Sequence, residues 1–235
     1  MPGTYVIAGG SHGIGLEIVR MLAPRAERID VWSRTSGDWP AGAPVRHQPC
    51  DFADPDGPLP EPPERIRGVV YCPGSITLRS FRSLQPADFR QDLEINLVGA
   101  VRVLQACQPR LEGVDGSPAS VVLFSTVAVG QGMPMHASVA AAKGAVEGLV
   151  RSLAAEWAPK VRVNAIAPAL TDTPLAARLL SSPEKREALA ARYPLKRIGT
   201  AGDVARLAGF LLSDESGWLT GQVLGLDGGM STLRV

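Results

Sequence analysis

A chain of 235 residues, 45% hydrophobic and 20% charged, is long enough to bury a substantial core and too apolar for long disordered spans, so one domain covering 1–235 is expected. Its 24 basic and 23 acidic residues leave a formal charge of +1, which offers no field to nucleic acid or to an anionic membrane and points to small-molecule partners. No stretch approaches the roughly 18 to 20 uninterrupted apolar residues of a membrane span, the start lacks a signal-peptide pattern, and Cys50, Cys72 and Cys107 are too scattered for a metal site or a disulfide framework. A soluble, unprocessed protein of the reducing cytoplasm is the expectation, with no metal.

In chain order, "TYVIA" reads as a strand, "GIGLEIVRMLAP" carries Ile14, Ile18, Met21 and Leu22 at helical spacing, and "RIDVWS" reads as a second strand, which makes a βαβ unit. From "TSGDWPAGAPV" through "PCDFADPDGPLPEPPERI" proline and glycine remove amide donors and break helical continuity, so connections with little or no helix are expected there. Further strands are predicted at "RGVVYC", "SVVLFS", "VRVNAIAP" and "GQVLGLDGG". Helices are predicted at "DFRQDLEINLVGAVRVLQACQPRL", "HASVAAAKGAVEGLVRSLAAEW" and "AGDVARLAGFLLS". This alternation predicts a doubly wound α/β fold, a mostly parallel sheet with helices on both faces.

The turn "AGGSHGIG" follows the first strand and opens the first helix, with Gly9, Gly13 and Gly15 spaced G-x3-G-x-G around Ser11, His12 and Ile14. Glycines let a backbone approach a pyrophosphate, and helix N-terminal amides favour its charge. The second strand ends in "SRT" rather than in the acid that would hold a free 2'-hydroxyl, so Arg34, with His12 nearby, is expected to pair with the 2'-phosphate of NADP in preference to NAD.

Together "AGGSHGIG", "INLVGA", "STVAV", "AAAKGAVEGL", "RVNAIAPALTDTP" and "GQVLGLDGG" resemble the short-chain dehydrogenase/reductase family over nearly the whole chain. The resemblance implies a single-domain, Rossmann-like fold, a nicotinamide cofactor, commonly a homotetramer, and a catalytic Asn-Ser-Tyr-Lys set. By that resemblance Asn96 and Lys143 match the family asparagine and lysine, and Thr126 takes the serine position, with Ser125 as the one-residue-shifted alternative. Asp51 resembles the acid that accepts from the adenine amino group, with Phe52 beside it; Gly74 closes the motif after the fourth strand, and Tyr71 stands near the cofactor side of that strand. Pro168 and Thr173 match the segment over the nicotinamide, although Ala169 replaces the usual glycine. Residues near 173–198, with Leu175, Leu179 and Leu180, resemble the substrate-lid insertion.

One position breaks the pattern. Where the family has Y-x3-K this chain has Val139 and then Lys143, and valine can neither donate a proton nor stabilise an alkoxide. A positioned general acid contributes about 10²- to 10⁴-fold, roughly 3 to 5 kcal/mol of barrier. His136 shares a helical face with 139, 140 and 143, and its neutral imidazole is expected to donate in place of the phenol; a water on Lys143 is the other candidate donor. The expectation is an NADP(H)-dependent oxidoreductase acting on a carbonyl/alcohol pair. Its competitors are a non-redox isomerase, cyclase or dehydratase, and a catalytically silent nucleotide-binding regulator. The helices bearing Asn96 and Lys143 are the expected association faces of a homo-oligomer.

Overall fold

Short apolar runs without polar alternation become strands covered on both faces. In the computed structural model, which describes residues 2–114 and 116–234, they form β1 (Thr4–Ala8), β2 (Arg28–Ser33), β3 (Val45–Pro49), β4 (Gly68–Tyr71), β5 (Ala119–Phe124), β6 (Val161–Pro168) and, at the far edge, β9 (Val223–Leu226). A separate two-stranded pair joins β7 (Thr171–Asp172) to β8 (Gly199–Thr200). The helices are α1 (Gly13–Leu22), α2 (Pro86–Leu93), α3 (Gly99–Cys107), α4 (Val127–Gln131), α5 (Ala137–Trp157), α6 (Pro183–Ala190) and α7 (Ala201–Leu212).

The main sheet is seven-stranded in the order β3-β2-β1-β4-β5-β6-β9, with every neighbouring pair parallel. One face is covered by α1 and α7 through Ile18, Val19, Leu22, Val204 and Leu211; the other is covered by α3 and α5 through Val103, Leu104, Val146 and Val150. Each such side chain contributes about 1.5 to 3 kcal/mol by leaving water. The doubly wound fold expected from the sequence is the one observed. Because β1 lies between β2 and β4, the winding reverses there and opens a crevice above the carboxyl ends of the strands, where this architecture places ligands.

The proline-rich region between β2 and β4 carries no helix, as expected, but it does contain β3, which the sequence reading missed. Its "VRHQP" is partly exposed and polar, and it is a strand only because β2 offers an edge from Ile29↔Val45 to Ser33↔Pro49. A second departure lies in the segment from 88 to 111. Its predicted single helix is divided into α2 and α3 by a π-helical turn over Glu94–Val98. Residues 173–198 are bracketed by β7 and β8 and contain α6, whose Ser182 cap accepts from the Lys185 amide.

Candidate active site

The π turn is built by a lock between β4 and α3. The buried Tyr71 hydroxyl donates to the Ile95 carbonyl at 2.7 Å, and a Cβ on Gly99 would lie 2.2 Å from that hydroxyl. Only a residue without a side chain lets the phenol reach the widened turn, and single π turns recur at functional sites. Tyr71 is thereby a helix-shaping residue, with Phe52 packed edge-on against its ring at 5.4 Å. The turn carries Asn96, 1% exposed, whose Nδ2 donates to Ser75 Oγ at 2.9 Å and to the Asp92 carbonyl at 2.8 Å. Its Oδ1 has no partner and lies 3.1 Å from where a Gly74 Cβ would be.

At the end of β5, alternation sends the two hydroxyls to different tasks. Ser125 donates to Glu147 Oε1 at 2.7 Å, tying β5 to α5. Thr126 caps α4, accepting from the Ala128 amide at 3.3 Å, so its own proton is left to donate to the cavity it lines.

Helix α5 buries Val139, Ala142, Lys143, Val146, Val150 and Ala154 at helical spacing and stops at Ala158, whose extended backbone is what a following Pro159 imposes. Before it, Met135 adopts φ 67°, a left-handed conformation that costs a non-glycine residue roughly 1 to 2 kcal/mol, and brings His136 to the cavity wall as the N-cap residue. His136 Nδ1 lies 2.8 Å from the Pro134 carbonyl, which can only accept, so the ring's Nδ1 carries a proton. This corrects one expectation: the neutral imidazole presents an acceptor at Nε2, and only the imidazolium has a second proton to give.

Val139 is 6% exposed and faces the cavity one turn before Lys143. Lys143 is 9% exposed and, among the described residues, has no hydrogen-bond or ion-pair partner; its Nζ is 3.6 Å from the Gly74 Cβ position. Burial pushes its pKa down from 10.5 to about 8, opposed by Cys72 and Asp92.

The glycine turn fits a dinucleotide. Gly9 and Gly13 have φ of 74° and 55°, and a Cβ on Gly15 would fall 2.2 Å from the Gly9 carbonyl oxygen, so α1 starts against the turn only because that Cβ is missing. His12 is exposed and hydrogen-bonded through Nδ1 to the Ser11 hydroxyl at 2.9 Å. Arg34 is exposed with no hydrogen-bond or ion-pair partner among the described residues, and its loop is pinned to the glycine turn by Trp39, whose Nε1 donates to the Gly10 carbonyl at 3.1 Å. Asp51 is exposed, its carboxylate accepting from the Ala53 amide. Ile14, Gly74, Pro168 and Thr173 line the same cavity as Asn96, Thr126, His136 and Lys143.

That cavity, about 380 Å³, opens above the carboxyl ends of β4, β5 and β6. Ile76, Leu78, Met133, Leu175, Leu179 and Leu189 make its outer walls apolar, whereas Leu180 is turned into the core. Its basic lining is Lys143, His136 and Arg192, and among the described residues no carboxylate lines it. Among the described residues no cluster could hold a metal, and no helix is long and apolar enough to cross a membrane.

A family model described as enoyl-(acyl carrier protein) reductase matches residues 62–231. A tropinone reductase homologue of Arabidopsis thaliana is 30% identical over 247 residues, covering 96% of this chain and 92% of that protein. The chain belongs to the short-chain dehydrogenase/reductase family. A member of the family from the same plant is 40% identical over 137 residues, which is 58% of this chain and about half, 52%, of that protein. The solved aldohexose dehydrogenase of Thermoplasma acidophilum superposes with a TM-score of 0.85 at 26% identity, covering 99% of this chain and 95% of its own. Oxidoreductases of the short-chain dehydrogenase/reductase family use a nicotinamide nucleotide. Sequence reasoning missed Ser75 and Asp92, whose hydrogen bond joins α2 to the loop after β4; neither carries a local signal, because the pair is made across 17 residues of chain.

Proposed function

We propose that this short-chain dehydrogenase/reductase is NADP(H)-dependent and interconverts a carbonyl and an alcohol on an apolar small molecule. The observation that carries the reading is Lys143, an amine buried, among the described residues, without hydrogen-bond or ion-pair partner at the floor of a cavity shared with Thr126 and with residues suited to the nicotinamide. Gly9, Ser11, His12, Gly13, Ile14 and Gly15 would hold the pyrophosphate, Arg34 and His12 the 2'-phosphate, Asp51 and Phe52 the adenine side, and Gly74, Pro168, Thr173 and Lys143 the nicotinamide riboside. When bound, the nicotinamide supplies or receives the hydride at the substrate carbon.

The chain's own groups handle the oxygen and its proton. Thr126 donates its free hydroxyl proton to the substrate oxygen and orients it. In reduction the Lys143 ammonium, directly or through a water, gives the proton to that oxygen; in oxidation the neutral amine takes it back. His136 offers Nε2 as an acceptor on the same wall, suited to the oxidation direction, and Asn96 fixes the floor beside Gly74. Residues 173–198 act as a lid whose leucines exclude water and receive the apolar body.

Val139, apolar and packed where the family has its phenol, favours a second reading: a nucleotide-binding protein that turns nothing over, or a non-redox enzyme on the same scaffold. NADPH carrying deuterium stereospecifically at C4, incubated with a panel of apolar ketones and aldehydes, separates them. Deuterium at the carbinol carbon of a product supports the oxidoreductase; tight nucleotide binding with no transfer across the panel moves the assignment to the second reading.

A further inference from the structure

A fully buried carboxylate sits beneath the cavity. Asp92, 0% exposed, accepts at Oδ1 from Ser75 Oγ at 2.5 Å and from Thr77 Oγ1 at 3.1 Å, while its Oδ2 has no hydrogen-bond partner among the described residues. Ser75 lines the cavity and, with its proton committed to Asp92, takes a hydrogen bond from the Asn96 amide at 2.9 Å. Both Asn96 protons are therefore fixed by residues 75 and 92, and Asn96 Oδ1 is left as a second buried acceptor without a partner. Lys143 Nζ and Asn96 Oδ1 flank the same point at Gly74, 3.6 and 3.1 Å from it, so the amine stands beside the side chain that the Asp92–Ser75 pair holds.

A carboxylate out of water with one oxygen unsatisfied is expensive unless a cation compensates it. The charged and titratable groups around Lys143 are Cys72 at the end of β4, Asp92 on α2, His136 at the start of its own helix, and Arg192 on the opposite wall. Of these only Asp92 is an anion, and it is buried beneath the floor.

We propose that Asp92 is a positioning residue of this site: through Ser75 it fixes the Asn96 amide, and its carboxylate supplies the counter-charge for the Lys143 ammonium. The inference rests on Lys143 being the proton-handling group of the proposed reaction. In a chain with Val139 in place of a phenol the proton inventory falls on the lysine, and burial works against its protonated form. Asp92 opposes that loss from below, where it does not obstruct the substrate.

The test is the titration of Lys143 in the full-length protein without nucleotide or substrate, read by trace acetylation across pH and mass spectrometry of its peptide. The exposed Lys160, Lys185 and Lys196 serve as internal references. Asp92→Asn keeps an acceptor for Ser75 and removes the charge. The expected result is a Lys143 titration moved to lower pH with the references unmoved, while Ser75→Ala leaves that titration in place. A Lys143 titration identical in Asp92→Asn and wild type overturns the proposal. Should Asp92→Asn not fold, Lys143→Met reads the same coupling from the other side: the Asp92 carboxyl carbon, followed by NMR, is expected to titrate at higher pH than in wild type, and no movement overturns the proposal. Neither readout needs turnover, so a moved titration in a protein that transfers no hydride sinks the oxidoreductase reading alone.

Discussion

Lys143→Met is expected to remove a pH-dependent stability cost along with the proposed proton donor. Methionine fills a similar volume with an unbranched apolar chain and carries no charge to desolvate. The lysine's pKa falls from 10.5 to about 8 on folding, equivalent to about 3 kcal/mol of stability withheld by the buried ammonium. Below pH 8 the folded and unfolded chains both hold the proton, and the folded state carries the whole penalty. Between about 8 and 10.5 the folded state releases its proton first and the penalty shrinks; above 10.5 it is gone. The pH-dependent part of the difference between variant and wild type should therefore be greatest near pH 7 and fall by about 3 kcal/mol toward pH 10.5. Urea unfolding of both proteins at several pH values, compared as a difference so that groups titrating alike in the two cancel, measures this directly. A difference that stays flat from pH 7 to pH 10.5 would refute the reasoning, because it would mean that Lys143 titrates alike in the folded and unfolded chains.

Other outcomes follow from the same geometry. Val139→Tyr puts a phenol one turn before Lys143 in the cavity, and is expected to raise the turnover number of any substrate found by about 10²- to 10⁴-fold, read in steady-state kinetics. Gly15→Ala places a Cβ 2.2 Å from the Gly9 carbonyl oxygen, a backbone clash that should abolish nucleotide binding in a fluorescence titration. Gly99→Ala drives a methyl into the Tyr71 hydroxyl and should cost about 1 to 3 kcal/mol in urea unfolding, a loss that Tyr71→Phe in the same chain partly restores. Arg34→Ala is expected to weaken NADPH binding while leaving NADH binding unchanged, measured by calorimetry.

The sequence made the central layers legible because their signals are local. The apolar runs of β1, β4, β5 and β6 and the helical spacing in α1, α5 and α7 report burial directly, and the glycines of the first turn state where a backbone must come close. Asn96, Thr126 and Lys143, taken from the family resemblance, and His136, read from its helical face, all line the cavity.

What the sequence left open depends on partners far along the chain. Strand β3 exists only against β2, and β7 needs β8 across nearly thirty residues. The choice between Ser125 and Thr126 turns on which hydroxyl Glu147 takes, and the proton position on His136 turns on a carbonyl two residues back in a strained loop. The π turn under Asn96 arises from a hydroxyl on β4 meeting a glycine on α3, and the Asp92–Ser75 link joins groups that look unremarkable in isolation. Sequence by itself determined β1, β2, β4, β5, β6, β9, α1, α5, α7 and the glycine turn, since hydrophobic period and glycine placement are written residue by residue. Only the tertiary structure decided the chemistry of the floor, because desolvation and hydrogen-bond partnership are properties of what surrounds a side chain.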